Sequence, residues 1–431
     1  MADQPIFERP VSRRRLGALG LGAAGLAALG GAGPAVDRAA AQDATTVTFW
    51  GEWTGEGELQ VRTMVDAFNA AQTAVRVEYV VQQDMVTKFL TAATSGQVPD
   101  LMIWDRWQTA NYAPRNVLHA IDERITTDGI DRAQFYDQAM LELTNSDKLY
   151  GLPLTVDARA LFYNKAHLQA AGLQPPTTWD ELAAAAMAMT VRDGGGALTR
   201  SGFSLGDVGL FSMYLHQAGG NVLNEDNSAT AFNDDKGIAV LNYWKSMMDA
   251  GVYEVGYDAG LTEGQDAFVT GKVSMLYTGP WMISTYQKYG TDLDFGVVPP
   301  VAGPNGDKGA GVGGFGLVIP EGSKNKDAAW AFMTWWMANV TNATTWGTTS
   351  RNIPGNRTAA QDPAFTGDEY IAPIVATIDF GTTRPAVAGY APMETDALIP
   401  NLQLFMEGSQ SAEDTLGKAQ EDGDRVLQEN S

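Results

Sequence analysis

The chain contains no cysteine and only three histidines among its 431 residues. Without cysteine it has no disulfides, no thiolate nucleophile and no zinc–thiolate site. The histidines, His119, His167 and His216, do not have the spacing of a helical zinc motif. The sequence also lacks a P-loop, a nucleophile elbow and an EF-hand loop. We therefore expect neither a metal nor a cofactor.

Positive charge is scarce as well. Lysine and arginine total 29 residues against 51 aspartates and glutamates, which gives a formal net charge of −22. A surface this acidic repels phosphate backbones and anionic headgroups, so we expect no nucleic-acid partner and no binding to a membrane surface. Hydrophobic residues make up 45% of the chain, enough for a large core, and the length indicates two or three domains.

The first 41 residues have the composition of an export signal. Residues 12–16 contain a twin-arginine pattern, residues 17–32 are weakly apolar, and residues 39–41 are three alanines. The apolar run is too short and too weakly apolar to span a membrane. We expect cleavage near Ala41, and because no cysteine follows, we expect a soluble protein without a lipid anchor in the periplasm or outside the cell.

The rest of the chain alternates between strand and helix patterns. Residues 46–50 and 75–81 alternate apolar and polar side chains, residues 100–104 are mostly apolar, and helical spacings separate the three segments. This order is typical of an α/β fold with a mostly parallel sheet and crossover helices. It resumes over residues 161–337, and after Glu421 we expect a polar, frayed tail.

Tryptophans lie beside polar residues at the ends of three predicted strands. The segments are Trp50-Gly51-Glu52-Trp53, Trp104-Asp105-Arg106-Trp107 and Gly279-Pro280-Trp281. Ligands of open α/β sheets bind beyond the carboxyl ends of strands, so the three clusters predict one cleft, although any single indole is as often a core residue. Aromatic faces suit the apolar faces of sugar rings, and carboxylates and arginines bind sugar hydroxyls.

Seven short segments occur in a characteristic order along nearly the whole chain that follows the predicted signal. They are residues 47–50, 95–100, 148–153, 161–165, 176–182, 279–281 and 328–332. Together they resemble the extracellular solute-binding proteins of ATP-driven carbohydrate importers, the family that includes maltose-binding protein.

The resemblance implies two α/β lobes, each a mostly parallel sheet flanked by helices, with a ligand cleft between them. The chain would cross between the lobes near Val156-Asp157, near residues 309–314 and near Arg351. The N-terminal lobe would comprise residues 42–156 and 309–350, and the C-terminal lobe residues 157–308 and 351–431.

The resemblance also implies a set of ligand contacts in the cleft. Carried over by position, these contacts are Trp50, Glu52, Asp105, Arg106, Asp157, Phe211 and Trp281. Further candidates are Trp53, Trp107, Gly314, Arg351, Arg384 and Tyr390.

The hypothesis is therefore a monomeric, exported receptor of an ABC importer, which closes by hinge bending over a mono- or oligosaccharide, docks on a membrane permease and does no chemistry. One alternative is a receptor of the same fold for glycerol-3-phosphate or a glycerophosphodiester, with Arg106, Arg351 or Arg384 on the phosphate. Another is a secreted glycosidase that uses two carboxylates, Glu52 with Asp105 or Asp157.

Overall fold

A computed structural model describes residues 44–259 and 265–430, so the predicted export signal over residues 1–41 lies outside the described range. The strands are β1 (Thr45–Gly51), β2 (Val75–Val81), β3 (Leu101–Asp105), β4 (Thr144–Asn145), β5 (Lys148–Leu149), β6 (Gly151–Pro153), β7 (Asp157–Ala158), β8 (Ala160–Asn164), β9 (Val191–Arg192), β10 (Leu198–Arg200), β11 (Met275–Thr278), β12 (Phe295–Val298), β13 (Val312–Gly313) and β14 (Phe315–Val318).

The helices are α1 (Gly55–Ala71), α2 (Met85–Ser95), α3 (Thr109–Tyr112), α4 (Asp122–Thr127), α5 (Asp137–Glu142), α6 (Lys165–Ala171), α7 (Trp179–Met189), α8 (Phe211–Gln217), α9 (Asp235–Asp249), α10 (Trp281–Tyr289), α11 (Lys326–Met337), α12 (Val340–Ser350), α13 (Arg357–Ala360), α14 (Pro363–Thr366), α15 (Ala372–Ile378), α16 (Tyr390–Pro392), α17 (Ile399–Met406) and α18 (Ala412–Asn430).

The larger sheet has the strand order β2-β1-β3-β14-β6. β1 pairs in parallel with β2 and with β3, and α1 and α2 connect these strands, as the alternating pattern predicts. β14 and β6 extend the sheet with antiparallel pairing. The helix α1 packs on this sheet because Val61, Met64, Val65 and Phe68 recur at helical spacing and are all buried.

The smaller sheet corrects the expectation of a mostly parallel sheet in each lobe. Its order is β11-β8-β12, and both outer strands are antiparallel to β8. β11 and β12 therefore run parallel to each other, joined by α10, but β8 lies between them. A strand–helix–strand pattern along the chain does not specify which strand is inserted between the two it connects.

The central strand β8 separates two hydrophobic cores. Leu161 belongs to a core built with the helices α6 to α9 and α17 to α18, whereas Phe162 belongs to a core built with α10, α14 and α15. Successive side chains of a strand point to opposite faces, so one short apolar strand serves both cores. A third core covers the larger sheet together with α1 and α11.

Segments that connect the two sheets run side by side. β7 lies between β6 of the larger sheet and β8 of the smaller one, and it pairs antiparallel with β13, which precedes β14. Next to this pair, Thr155 bridges Pro354 and Gly311 bridges Thr382. The crossings expected near residues 156–157 and 309–314 are therefore adjacent strands.

The C-terminal segment is ordered, in contrast to the frayed tail expected after Glu421. α18 continues to Asn430 and buries Leu416, Ala419, Gly423 and Leu427 on one face. Its polar composition hides a helical apolar stripe, and packing against neighbouring helices stabilises it. Within residues 44–259 and 265–430, none of the helices combines the length and apolar character needed to cross a bilayer.

Gly314, at the junction of β13 and β14, should be intolerant of a side chain. Its φ is +125°, and an added Cβ would lie 2.7 Å from both Arg106 Nη1 and the Thr155 carbonyl oxygen. We expect Gly314→Ala to lower the free energy of unfolding by about 1–3 kcal/mol, measured by urea denaturation.

Gly313→Ala is the matched control, because nothing lies within 4 Å of its added Cβ. Equal destabilisation by the two variants would contradict this account of the junction.

Candidate functional site

A cavity of about 1080 Å³ lies beside the paired connecting strands, between the two sheets. Its wall is drawn from parts of the chain that are far apart in sequence. Asp105 and Asn352 line it, and so do some residues of each of the ranges 52–60, 155–159, 207–227, 266–285, 311–315 and 382–390.

Three predicted site residues that follow or end strands of the larger sheet lie in the cavity wall. Glu52 and Trp53 follow β1, and Asp105 ends β3, and all three line the cavity. From the smaller sheet, Trp281 follows β11 at the start of α10 and also lines it. Asp157, Gly314, Arg384 and Tyr390 complete the predicted residues found in the wall.

Four aromatic side chains line the cavity among the described residues: Trp53, Trp281, Phe315 and Tyr390. Trp53 packs edge-on to Phe315 with ring centroids 5.0 Å apart, and stacks on Trp346 at 6.1 Å. These contacts fix the indole of Trp53 in place. Trp281 is 38% exposed and carries the guanidinium of Arg159, 4.8 Å from its ring centroid.

Carboxylates are the most numerous charged side chains of the wall. They are Glu52, Glu56, Asp105, Asp157, Asp207, Glu225 and Asp266. Glu52 Oε1 accepts a hydrogen bond of 2.6 Å from the Met85 N–H at the start of α2, which fixes that carboxylate. Burial raises the pKa of Asp105, although the neighbouring Trp107 indole and the Arg384 guanidinium act in the opposite direction.

Two carboxylates of the wall, Asp157 and Asp266, have an oxygen without a hydrogen-bond partner among the described residues, and Asp157 is the more deeply buried of the two. The residue is 9% exposed, and its Oδ2 accepts a hydrogen bond of 2.9 Å from Thr155 Oγ1, whereas its Oδ1 has no partner in the described part of the chain. Burial raises its pKa to about 6; the Thr155 hydrogen bond and the charges of Arg106 and Arg159 act against that shift, and Asp105 adds to it.

Arg106 lies outside the cavity and is completely buried. Its Nε donates to Glu142 Oε2 at 3.0 Å, Nη2 donates to the Gly313 carbonyl oxygen at 2.6 Å, and Nη1 donates to the carbonyl oxygens of Thr155 and Phe315. With every nitrogen occupied, it ties the connecting strands to the end of β3. The structure gives it a structural position in place of the predicted ligand contact.

Four other predicted contacts are also absent from the cavity wall. Trp50 packs against the core of the larger sheet. Phe211, the first residue of α8, is 1% exposed and belongs to a core of the smaller sheet. Trp107 packs between the Arg384 guanidinium, 4.5 Å from its ring centroid, and Tyr390. Arg351 ends α12 and pairs with Asp368 at 2.9 Å.

Trp104 is likewise a core residue, 1% exposed, with its Nε1 donating to Thr109 Oγ1 at 3.2 Å. The predicted convergence of indoles in one cleft is therefore limited to Trp53 and Trp281. Carboxylates, more than indoles, define this wall.

Sequence reasoning missed several wall residues. Arg159 could have been found, because it lies two positions after Asp157 in an extended segment and so shares its face. Asp207, His216, Glu225 and Asp266 follow no strand-end pattern, and their position depends on the packing of α8 and α10 around the cavity.

An ion pair joins α1 to α10 beside the cavity. Lys288 Nζ, near the end of α10, contacts Glu56 Oε1 in the first turn of α1, although the residues are 232 positions apart. Glu56 itself lines the cavity. The helices α1 and α10, which pack on different sheets, are thereby in direct contact.

The same fold occurs in known proteins. The family model for bacterial extracellular solute-binding proteins matches residues 53–342. The maltotriose-binding protein of Pyrococcus abyssi is 25% identical over 291 residues, which cover 65% of this chain and 60% of that protein.

Two solved structures are similar over most of the chain. One is the cyclic α-maltosyl-1,6-maltose binding protein of Arthrobacter globiformis, with a TM-score of 0.74 and 26% identity over 90% of this chain and all of that one. The other is the GacH receptor of Streptomyces glaucescens, solved unliganded and with acarbose, with a TM-score of 0.77 and 25% identity over 90% of this chain and all of that one. The two-lobed α/β architecture expected from the sequence is confirmed.

The raised pKa of Asp157 predicts a specific pH dependence of stability. Between about pH 4 and pH 6 the folded chain retains a proton that the unfolded chain has released, so this group lowers stability as the pH rises through that window. The free energy of unfolding of Asp157→Asn minus that of wild type should therefore rise by about 1–3 kcal/mol from pH 4 to pH 6.5. It should stay constant at higher pH.

Urea denaturation across the pH series measures the difference. A stability difference that is constant with pH would show that the Asp157 carboxyl titrates normally.

Proposed function

Because the chain belongs to the family of bacterial extracellular solute-binding proteins, we propose that it is the extracytoplasmic receptor of an ABC importer and binds a saccharide in the cavity between its lobes. The observation that carries this proposal is the composition of the cavity wall. Aromatic side chains of Trp53, Trp281 and Phe315 lie among carboxylates that can accept hydrogen bonds from sugar hydroxyls. Buried polar groups that are satisfied only by the right hydroxyls give such a site its specificity.

The size of the cavity favours an oligosaccharide over a single sugar. At about 1080 Å³, it exceeds the range of roughly 300–1,000 Å³ typical of sites for drug-sized ligands. Its wall includes both Asp157 on the connecting strands and Glu56 in the first turn of α1. A single glycerol phosphate would leave most of this space to water.

The arginines also argue against a phosphate ligand. Of the three that could bind phosphate, Arg106 and Arg351 lie outside the cavity wall, and Arg384 pairs with Glu394 at 2.6 Å. Arg159, in the wall, faces Trp281 and lies 3.4 Å from Asp207. Phosphate binding requires free cationic donors or helix N-termini directed at the ligand. A hydroxyl-rich ligand without negative charge fits the wall better.

We extend the proposal to hinge closure. The N-terminal lobe would be residues 42–156 and 309–350, and the C-terminal lobe residues 157–308 and 351–431, with the β7–β13 pair as part of the hinge. The Glu56–Lys288 contact between α1 and α10 supports closure, because a closed form would bring helices of the two lobes together. A ligand that binds the closed form more tightly than the open form shifts the existing equilibrium between them towards the closed form.

The remaining parts of the proposal concern location, partner and chemistry. The protein would be exported through its twin-arginine signal, released near Ala41 without a lipid anchor, and would act as a monomer that presents its closed form to a membrane permease. It would return its ligand unchanged. The raised pKa values of Asp105 and Asp157 follow from burial beside a binding cavity and do not require a hydrolytic role.

Calorimetry with a saccharide panel and glycerol-3-phosphate tests the function. We expect at least one oligosaccharide to bind with a Kd of roughly micromolar or tighter, about −8 kcal/mol, and to be recovered unhydrolysed by mass spectrometry. Glycerol-3-phosphate should not bind. Binding of the phosphate alone, or steady hydrolysis of the saccharide, would require a different function.

Removing the exposed indole of Trp281 should weaken saccharide binding. We expect Trp281→Ala to cost roughly 2–4 kcal/mol of binding free energy, since aromatic anchors carry much of the energy of such sites. Tyr289→Ala is the control: it removes an exposed ring, 40% accessible, from the same helix but outside the cavity wall.

Isothermal titration calorimetry gives both affinities, and thermal unfolding verifies folding. An affinity unchanged by Trp281→Ala would mean that the ligand does not contact that ring.

A further inference from the structure

Two carboxylate oxygens in the cavity wall lack a hydrogen-bond partner among the described residues. One is Asp157 Oδ1, on a side chain that is nine-tenths buried. The other is Asp266 Oδ2, whose neighbouring Oδ1 is occupied by the N–H groups of Phe268 and Val269. Buried polar atoms are normally satisfied. Both of these atoms accept hydrogen bonds, so the group that completes the site must donate.

The cationic side chains of the wall are already committed elsewhere. Arg384 pairs with Glu394, and Arg159 lies over Trp281 beside Asp207. His216 adds no positive charge at neutral pH, because burial lowers its pKa, although the Gly220 carbonyl, 3.0 Å from its Nδ1, acts in the opposite direction. Seven carboxylates thus face the cavity against two arginines that each have a carboxylate partner.

Asp157 receives no direct hydrogen bond from the nearest arginines. Arg106 donates to Glu142 and to backbone carbonyl oxygens such as that of Gly313, and not to Asp157. Arg159 extends towards Trp281 and Asp207. The Asp157 carboxyl in the cavity wall therefore has no cationic partner at hydrogen-bond distance among the described residues, and Asp105 in the same wall adds a second negative charge near it.

Hydroxyls alone could satisfy such acceptors, but a protonated amine satisfies them better. A hydrogen bond from a cationic donor to a carboxylate is roughly twice as strong as one between neutral groups. An ammonium also reduces the repulsion among carboxylates that are removed from bulk water. An acid sugar or a phosphorylated sugar would add to that repulsion.

We propose that the ligand is a saccharide that carries a basic amine, bound with its ammonium against Asp157, and that the cavity rejects anionic sugars. This inference rests on the proposed function, because it specifies the class of saccharide that the same cavity takes. Asp157 is then the residue that distinguishes an aminated sugar from its neutral counterpart.

Matched trisaccharides test this proposal. Sets with α-1,4 and β-1,4 linkages are compared, each with a hydroxyl, an ammonium or an acetamido group at carbon 2, together with a uronate trisaccharide. A sugar amine resembles an α-amino group, with a pKa of about 7.7–8.0, and is therefore mostly cationic at pH 7. The acetamido sugar keeps the nitrogen but carries no charge.

Calorimetry at pH 7 and low salt should show that, in the linkage that binds, the amino trisaccharide binds at least tenfold more tightly than the hydroxyl form. The acetamido form should not share this increase, and the uronate should not bind.

Asp157→Asn should bring the ratio of amino to hydroxyl affinity close to one, whatever happens to either affinity alone. Asp66→Asn is the matched control, because Asp66 is an exposed carboxylate on α1 outside the cavity wall. It removes the same charge and should leave the ratio unchanged. If Asp157→Asn does not fold, the affinities of the native protein for the amino, hydroxyl and acetamido forms still test the preference for an ammonium.

Equal affinity for the amino and hydroxyl forms, or a ratio that Asp157→Asn leaves unchanged, would overturn this inference and leave the proposed function standing. Failure of every saccharide in both sets to bind would contradict the proposed function as well.

Discussion

The arrangement of the cavity depends on one buried guanidinium. Arg106, at the end of β3, holds Glu142 and the carbonyl oxygens of Thr155, Gly313 and Phe315. These oxygens belong to the segments that connect the two sheets, so the charge fixes where those segments leave the larger sheet. A buried arginine is tolerated only when it is fully paired. Its partners are carbonyl oxygens of the connecting segments, so the pairing of Arg106 helps to position Asp157 and Gly314, which lie in those segments.

The sequence predicted the parts of the fold that local patterns determine. The strands β1 to β3 and the helices α1 and α2 follow from alternating or helical spacing, and Gly96 ends α2 in a left-handed conformation as expected of a helix-terminal glycine. The antiparallel smaller sheet could not be predicted in this way, because strand direction depends on which strand is inserted between neighbours. The helical stripe in α18 was overlooked because charge dominates its composition.

The site was only partly predictable for a related reason. Strand-end position correctly identified Glu52, Trp53, Asp105 and Trp281 as wall residues. It could not separate them from Trp104, which follows the same pattern but is buried among core side chains from distant segments. The electrostatic character of the cavity was also hidden, because whether an arginine faces a ligand or an internal carboxylate is decided by tertiary packing. The net charge of −22 predicted an acidic surface, but it could not predict that one oxygen of Asp157 lacks a hydrogen-bond partner.

The central claim is that the cavity between the lobes receives a saccharide at its unpaired carboxylate oxygens. The most direct measurement is a crystal structure of the protein with its tightest-binding oligosaccharide. We expect the sugar to be enclosed between α1 and α10, with a donor of the ligand within hydrogen-bond distance of Asp157 Oδ1 and a ring against Trp281. A saccharide bound elsewhere, with Asp157 Oδ1 still unpaired, would contradict the account.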